Sequence, residues 1–229
     1  MTQRRATFRA VAAAVAVLAT AVSSVEHAPA VRASTQPHIA VIGDSYTAGS
    51  SEGGNGAQSW PELAWQLLAD RGVEVNADVA AEGGAGYGQR GSRGSVFEDL
   101  TAQAVRRNDA LVVFFGSRND EPVDPAVFPD FAAGTFLFAR FAAPAAKFLV
   151  IGPPWPTASP PPPVLKIRDS LRQQAASAGA VFMDPIAEGW FVDQPDLIGQ
   201  DGVHPTDAGH AYMAQRIAPL IYDQLTIRI

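Results

Sequence analysis

The chain has 229 residues, 47% hydrophobic and 17% charged, which suits one compact domain and excludes a disordered chain or a multi-pass membrane protein. It has no cysteine, so a disulfide framework, a thiolate metal site and a cysteine nucleophile are all excluded. A formal charge of −6 leaves no basic footprint, and no nucleic-acid partner is expected.

Residues 1–33 read as an export signal. Arg4, Arg5 and Arg9 precede an uncharged apolar stretch from Ala10 to Val22, and Ala28-Pro29-Ala30 or Val31-Arg32-Ala33 offers a small-residue cleavage site. The stretch is too short to span a bilayer, so no stable membrane insertion is expected. Its loss removes four arginines against one glutamate and moves the net charge from −6 to −9. The remainder, residues 34–229, is expected to be one domain, secreted or held in the cell envelope.

His38 to Gly43 reads as a buried strand ending at a turn. Trp60 to Asp70 has apolar residues at helical spacing, with Ser59 as N-cap and Pro61 in the first turn. A weaker strand over Val73 to Ala80, a helix over Val96 to Arg107 and a strongly apolar strand over Ala110 to Phe115 follow. A helix then falls within Pro125 to Phe141, ahead of a strand over Lys147 to Ile151. Pro153 to Pro163 holds seven prolines and predicts a stiff extended loop. A helix over Val164 to Ala178, a short strand over Ala180 to Met183 and a closing helix over Thr206 to Leu225, capped by Thr206, complete the chain. Strands alternating with helices imply an α/β fold: a flavodoxin-like three-layer α/β/α sandwich on a mainly five-stranded parallel sheet. Ligands of such sheets bind beyond the carboxyl ends of the strands, so the residues that follow strands carry the chemistry.

Four blocks stand in those places. Gly43-Asp44-Ser45-Tyr46 follows the first strand and puts a hydroxyl on a turn beside a helix N-terminus. Asp201-Gly202-Val203-His204-Pro205 precedes the last helix. Its spacing of three lets a carboxylate meet the imidazole Nδ1 and leaves Nε2 for a serine proton, although an Asp cap with a surface histidine reads the same way. Gly83-Gly84-Ala85-Gly86 follows the second strand and allows close backbone approach. Gly116-Ser117-Arg118-Asn119-Asp120 follows the third, with Asn119 offering a side-chain N–H.

In this order the blocks resemble the SGNH or GDSL hydrolase family, over His38 to about Leu225. The resemblance implies the SGNH hydrolase fold, with Ser45 as nucleophile and His204 and Asp201 completing a triad. It also implies an oxyanion hole from the N–H groups of Ser45 and Gly84, with Gly83 one position away as the alternative, and the amide of Asn119. Three departures stand out: Tyr46 replaces the family's frequent leucine, Ser117 occupies its usual glycine position, and Arg118 adds a charge beside the hole. Arg118 either contacts a polar or anionic substrate group or pairs with Asp120 or Glu121.

The function expected is a serine carboxylic ester hydrolase, acting through an acyl-enzyme on a small-molecule, lipid or glycan ester, with activity rising through an imidazole titration. A carbohydrate O-deacetylase or an envelope acyltransferase would use the same site, and a catalytically silent envelope-binding module would keep the fold. Gly86-Tyr87-Gly88-Gln89-Arg90-Gly91 fits a dinucleotide fingerprint by letters but follows the wrong strand. No His-Glu-x-x-His occurs, and neither metal nor cofactor is expected. Trp155, Trp190 and Phe191 either flank an acyl group or sugar ring or, for at least some of them, pack in the core. If the proline segment forms a fixed rim, short acyl groups are favoured over long ones. A chain-length series of chromogenic esters reads that ranking directly.

Overall fold

An unbroken apolar run, His38–Gly43, forms strand β1. Strand β2, Asn76–Ala81, pairs with one side of it and β3, Asp109–Phe115, with the other, both parallel. Beyond β3 lie β4, Lys147–Ile151, and β5, Val181–Met183, again parallel. The order β2-β1-β3-β4-β5 is that of a flavodoxin-like sheet. The structure, a computed structural model, describes residues 36–226, so the predicted export segment lies outside the described residues.

Six helices accompany the strands among the described residues: α1 Ser45–Ala48, α2 Trp60–Ala69, α3 Phe97–Ala104, α4 Phe128–Ala142, α5 Pro162–Ser177 and α6 Asp207–Thr226. Because strand side chains alternate, β1 and β3 feed two cores. Ala40, Ile42, Val112 and Phe114 pack with Leu100 of α3, Phe136 of α4 and Leu171 of α5. Ile39, Val41, Leu111, Val113 and Phe115 pack on the other face with Leu68 of α2 and Ile217 of α6. Burial on both faces explains why these strands read as continuous apolar runs. Each large side chain so buried contributes about 1.5 to 3 kcal/mol. Among the described residues no helix is long and apolar enough to cross a membrane.

Caps follow the predicted chemistry. Ser59 Oγ accepts the Glu62 N–H at 3.5 Å at the start of α2, with a proline in the first turn. Thr206 Oγ1 accepts the Gly209 N–H at 3.2 Å at the start of α6. Gly209 is required there, since a Cβ would stand 2.2 Å from the Leu197 carbonyl oxygen. Three predicted boundaries shift by more than one residue. Strand β2 begins at Asn76 rather than Val73. The proline loop ends at Pro161, because prolines occupy the first turn of α5, where a missing N–H costs nothing. Helix α3 stops at Ala104, and Val105 is already extended.

Helix α6 carries His210, fully buried, whose Nδ1 accepts the Trp60 N–H at 3.2 Å. Its ring is packed so closely on Gly54 that a Cβ there would come within 2.0 Å of Nε2. Burial pulls its pKa down to about 4, with the nearby Asp207 charge opposing. The folded value therefore lies below the unfolded one of about 6.5. Its contribution is complete above the unfolded value and is lost as pH falls toward the folded one, because only the unfolded chain takes up the proton. Denaturant unfolding of the wild type and His210→Gln at a series of pH values is expected to show the wild-type curve falling more steeply between about pH 6.5 and 4. The difference should reach on the order of 3 kcal/mol.

Candidate active site

The chain leaves β1 through a turn that needs a glycine: a Cβ on Gly43 would stand 2.2 Å from Thr47 Oγ1. Asp44 caps the short helix α1, its Oδ1 accepting the Tyr46 N–H at 2.9 Å. Ser45 is the first residue of α1, so its N–H is one of those a helix start leaves unpaired. Its side of the turn is only 9% exposed.

The loop before α6 reaches the same edge. Asp201 Oδ1 accepts the N–H groups of Val203 at 2.8 Å and His204 at 2.9 Å, closing a turn in which Gly202 has φ of 69°. Asp201 Oδ2 then meets His204 Nδ1 at 2.6 Å, and His204 Nε2 lies 3.1 Å from Ser45 Oγ. Desolvation opposes the charge of Asp201, but the hydrogen bonds from the His204 ring and from the His204 and Val203 backbone outweigh it and hold the carboxyl down at about 2. It is therefore ionised throughout the neutral range and fixes the ring with Nε2 toward the hydroxyl. An imidazole held in this way can take the proton of a serine that attacks a carbonyl.

Two further loops close the edge. Ser45 Cβ lies 4.0 Å from the position a Cβ of Gly83 would take, while Gly84 is the one with positive φ, 81°. The glycine loop is fastened by buried carboxylates. Glu82 accepts the Arg93 and Ser95 N–H groups, and Asp120 accepts those of Tyr87, Gly88 and Gln89 at 2.8 to 2.9 Å. These last three belong to the dinucleotide-like fingerprint, whose N–H groups thus serve Asp120 rather than a phosphate. Asn119 Nδ2 donates to the Ala85 carbonyl at 2.9 Å and to Asp44 Oδ2 at 3.2 Å. Both amide hydrogens thus have acceptors. Burial raises the Asp44 carboxyl to about 7 against the opposing Tyr46 N–H.

This constellation coincides with a family match: the sequence profile of the GDSL-like Lipase/Acylhydrolase family covers residues 41–212. The chain belongs to this family. It is an ester hydrolase. A GDSL lipase of Mycobacterium tuberculosis is 62% identical over 190 residues, 82% of each chain. Among solved structures, the lipase/acylhydrolase of Enterococcus faecalis superposes with a TM-score of 0.65 at 18% identity, over 84% of this chain and 99% of that one. A family two carbohydrate esterase of Clostridium thermocellum, in complex with cellohexaose, gives 0.65 at 18%, over 83% of this chain and 65% of that one. At such identities the structures attest the fold.

Against this GDSL framework the departures acquire partners. Ser117, buried in place of the usual glycine, accepts the Asn119 N–H at 3.0 Å and donates to the Ala85 carbonyl at 3.3 Å. The Tyr46 hydroxyl, which leucine would lack, donates to the Val203 carbonyl beside His204. Sequence reading passed over both roles, as it did that of Asp120, because each depends on a contact across distant segments. Among the described residues the ion pair expected for Arg118 with Asp120 or Glu121 does not form: Asp120 is occupied by backbone N–H groups, and the guanidinium lies over the Trp155 ring at 4.2 Å and faces the Tyr46 hydroxyl. Trp190 is a core residue, 0% exposed, against Phe115 and Tyr212; Phe191, 1% exposed, packs on Tyr46 and Tyr212 and reaches the wall of the groove beside the proline loop. Among the described residues no group of three or more His, Asp or Glu is gathered as a metal would require.

Removing the Tyr46 hydroxyl frees the loop that carries His204 from the turn that carries Ser45. Tyr46→Phe is expected to lower kcat about fivefold, as for one neutral hydrogen bond, with thermal stability little changed. Steady-state kinetics alongside a melting curve tests this.

Proposed function

We propose that this ester hydrolase works through Ser45 as nucleophile, His204 as general base and acid, and Asp201 as the group that orients the imidazole. The observation that carries the reading is the continuous chain of contacts from Asp201 through His204 to Ser45, at 2.6 and 3.1 Å, between segments 159 residues apart. Chance surface histidines lack both partners at once.

In the reaction so read, Ser45 Oγ adds to the ester carbonyl while its proton passes to His204 Nε2. The oxyanion is received by the N–H groups of Ser45 and Gly84 and by the Asn119 amide. Collapse of the tetrahedral intermediate breaks the bond to the alcohol oxygen, which takes the proton from His204. Water then adds to the acyl-enzyme, delivering its proton to His204, and the acid departs as Ser45 Oγ is reprotonated. The ionised Asp201 stabilises the imidazolium in both halves. The substrates read for the site are small-molecule, lipid or glycan esters. Residues 1–33 are read as the signal that exports the domain of residues 34–229 to the cell envelope or the medium.

Ser45→Ala is expected to abolish labelling by a fluorophosphonate and to lower ester turnover by at least about a thousandfold. Asn119→Ala is expected to lower kcat by about a hundredfold to a thousandfold. Persistent labelling of Ser45→Ala would move the nucleophile elsewhere.

A further inference from the structure

Arg118 is a cation at the active edge without a carboxylate of its own. It directly precedes Asn119 in the loop after β3, and it lies over the Trp155 ring, in the loop after β4, at 4.2 Å. The carboxylates around it are otherwise engaged. Asp44 holds the Tyr46 N–H and the Asn119 amide, Asp120 holds three backbone N–H groups, and Asp201 holds His204 and its turn. Among the described residues Arg118 forms no ion pair with a carboxylate; its side chain faces the Tyr46 hydroxyl as a hydrogen-bond partner, and its charge also reaches Asp44. Those two flank Ser45, and the Tyr46 hydroxyl touches the residue before His204. Immediately beyond Trp155, Pro156 and Thr157 form one wall of an open groove of about 510 Å³ whose other wall includes Phe191, Gly199 and Gly202, with the carboxylate of Asp193 at its side away from Arg118, which does not itself line the groove. The guanidinium thus stands between the proposed oxyanion donor and a groove bordering the proposed base.

A guanidinium held over an indole, with one donor toward the Tyr46 hydroxyl, is fixed in place and keeps its remaining donors for a carboxylate or phosphate. In a chain of net charge −6 such a cation also concentrates anions locally at one point of an otherwise repelling surface. We propose that Arg118, positioned by Trp155, is a specificity residue that binds an anionic group of the substrate a few bonds from the scissile carbonyl, so that the preferred substrates are negatively charged esters. The inference rests on the reading of Ser45 as nucleophile and adds to it a substrate class.

Two isosteric pairs of chromogenic or ultraviolet-absorbing esters test it. On the acyl side, the p-nitrophenyl monoester of adipic acid is set against its terminal amide. On the alcohol side, the hexanoyl ester of p-hydroxybenzoate is set against that of p-hydroxybenzamide. In at least one pair the anionic member is expected to show a kcat/KM at least about tenfold higher, as for one charge-assisted hydrogen bond. The pair that responds says which side carries the charge. The ratio should fall toward one in molar salt and in Arg118→Gln, fall in Trp155→Leu, and be partly restored in Arg118→Lys. Titration calorimetry with Ser45→Ala should show the same preference in binding, a readout that does not require turnover. Ratios near one in both pairs, or a preference that survives both Arg118→Gln and salt, would overturn the proposal. Should Arg118→Gln fail to fold, the salt series and Trp155→Leu decide. Full turnover by Ser45→Ala alongside an Arg118-dependent binding preference would instead remove the serine reading and leave the anion site standing.

Discussion

At the carboxyl edge of the sheet β1 and β3 lie side by side, and the chain that leaves them departs in opposite directions. From β1 it passes to α2, on the face shared with α6; from β3 it passes to α4, on the face shared with α3 and α5. Nothing crosses over the gap so created, and this is where an open α/β sheet receives ligands. Ser45 leaves one lip of the gap and Asn119 the other. The return of the chain at α6 brings His204 to the first lip. The bond between Asp44 and Asn119 joins the two. The site is thus a property of the strand order before it is a property of any loop.

The loops that meet there hold little hydrophobic surface, and their conformations are fixed by buried carboxylates acting as multidentate acceptors. Glu82, Asp120 and Asp44 are nearly inaccessible to solvent, and each gathers N–H groups from segments that would otherwise be free to move. Burying a carboxylate is costly, and only several hydrogen bonds offset it. The glycines are the counterpart. A Cβ on Gly86 would stand 2.5 Å from Asp120 Oδ2, one on Gly91 2.6 Å from Glu82 Oε1 and one on Gly116 2.9 Å from Asp44 Oδ2. The glycine-rich blocks are therefore shaped by the acids they enclose as much as by any ligand they admit.

Much of this was legible in the amino-acid sequence, and the pattern of success has a physical basis. β1, β3 and β4 announced themselves because burial on both faces forces a continuous apolar run, and β4 came out with its predicted ends. Asp201 and His204 could be paired because their interaction is local, three residues along one turn. The bond from His204 to Ser45 is not local, and only the resemblance to the family suggested it. Where recognition depended on which way a side chain points, the sequence was silent. Trp190 next to a reactive loop and Trp155 in a proline loop are equivalent on paper; in the fold one is core and the other carries Arg118. The prolines misled at one end only, since the same residue that stiffens a loop also begins a helix.

The distance along the chain between Ser45 and His204 has a consequence for biosynthesis. α6 is the last element among the described residues, and the loop that presents His204 is anchored to its first turn through Thr206 and to Tyr46 near the start of the fold. A polypeptide emerging from a ribosome therefore has Ser45 long before it has His204. On the proposed reading it acquires hydrolytic competence only when its final helix docks, so that a nascent or truncated form is inert and the appearance of turnover marks the completion of folding.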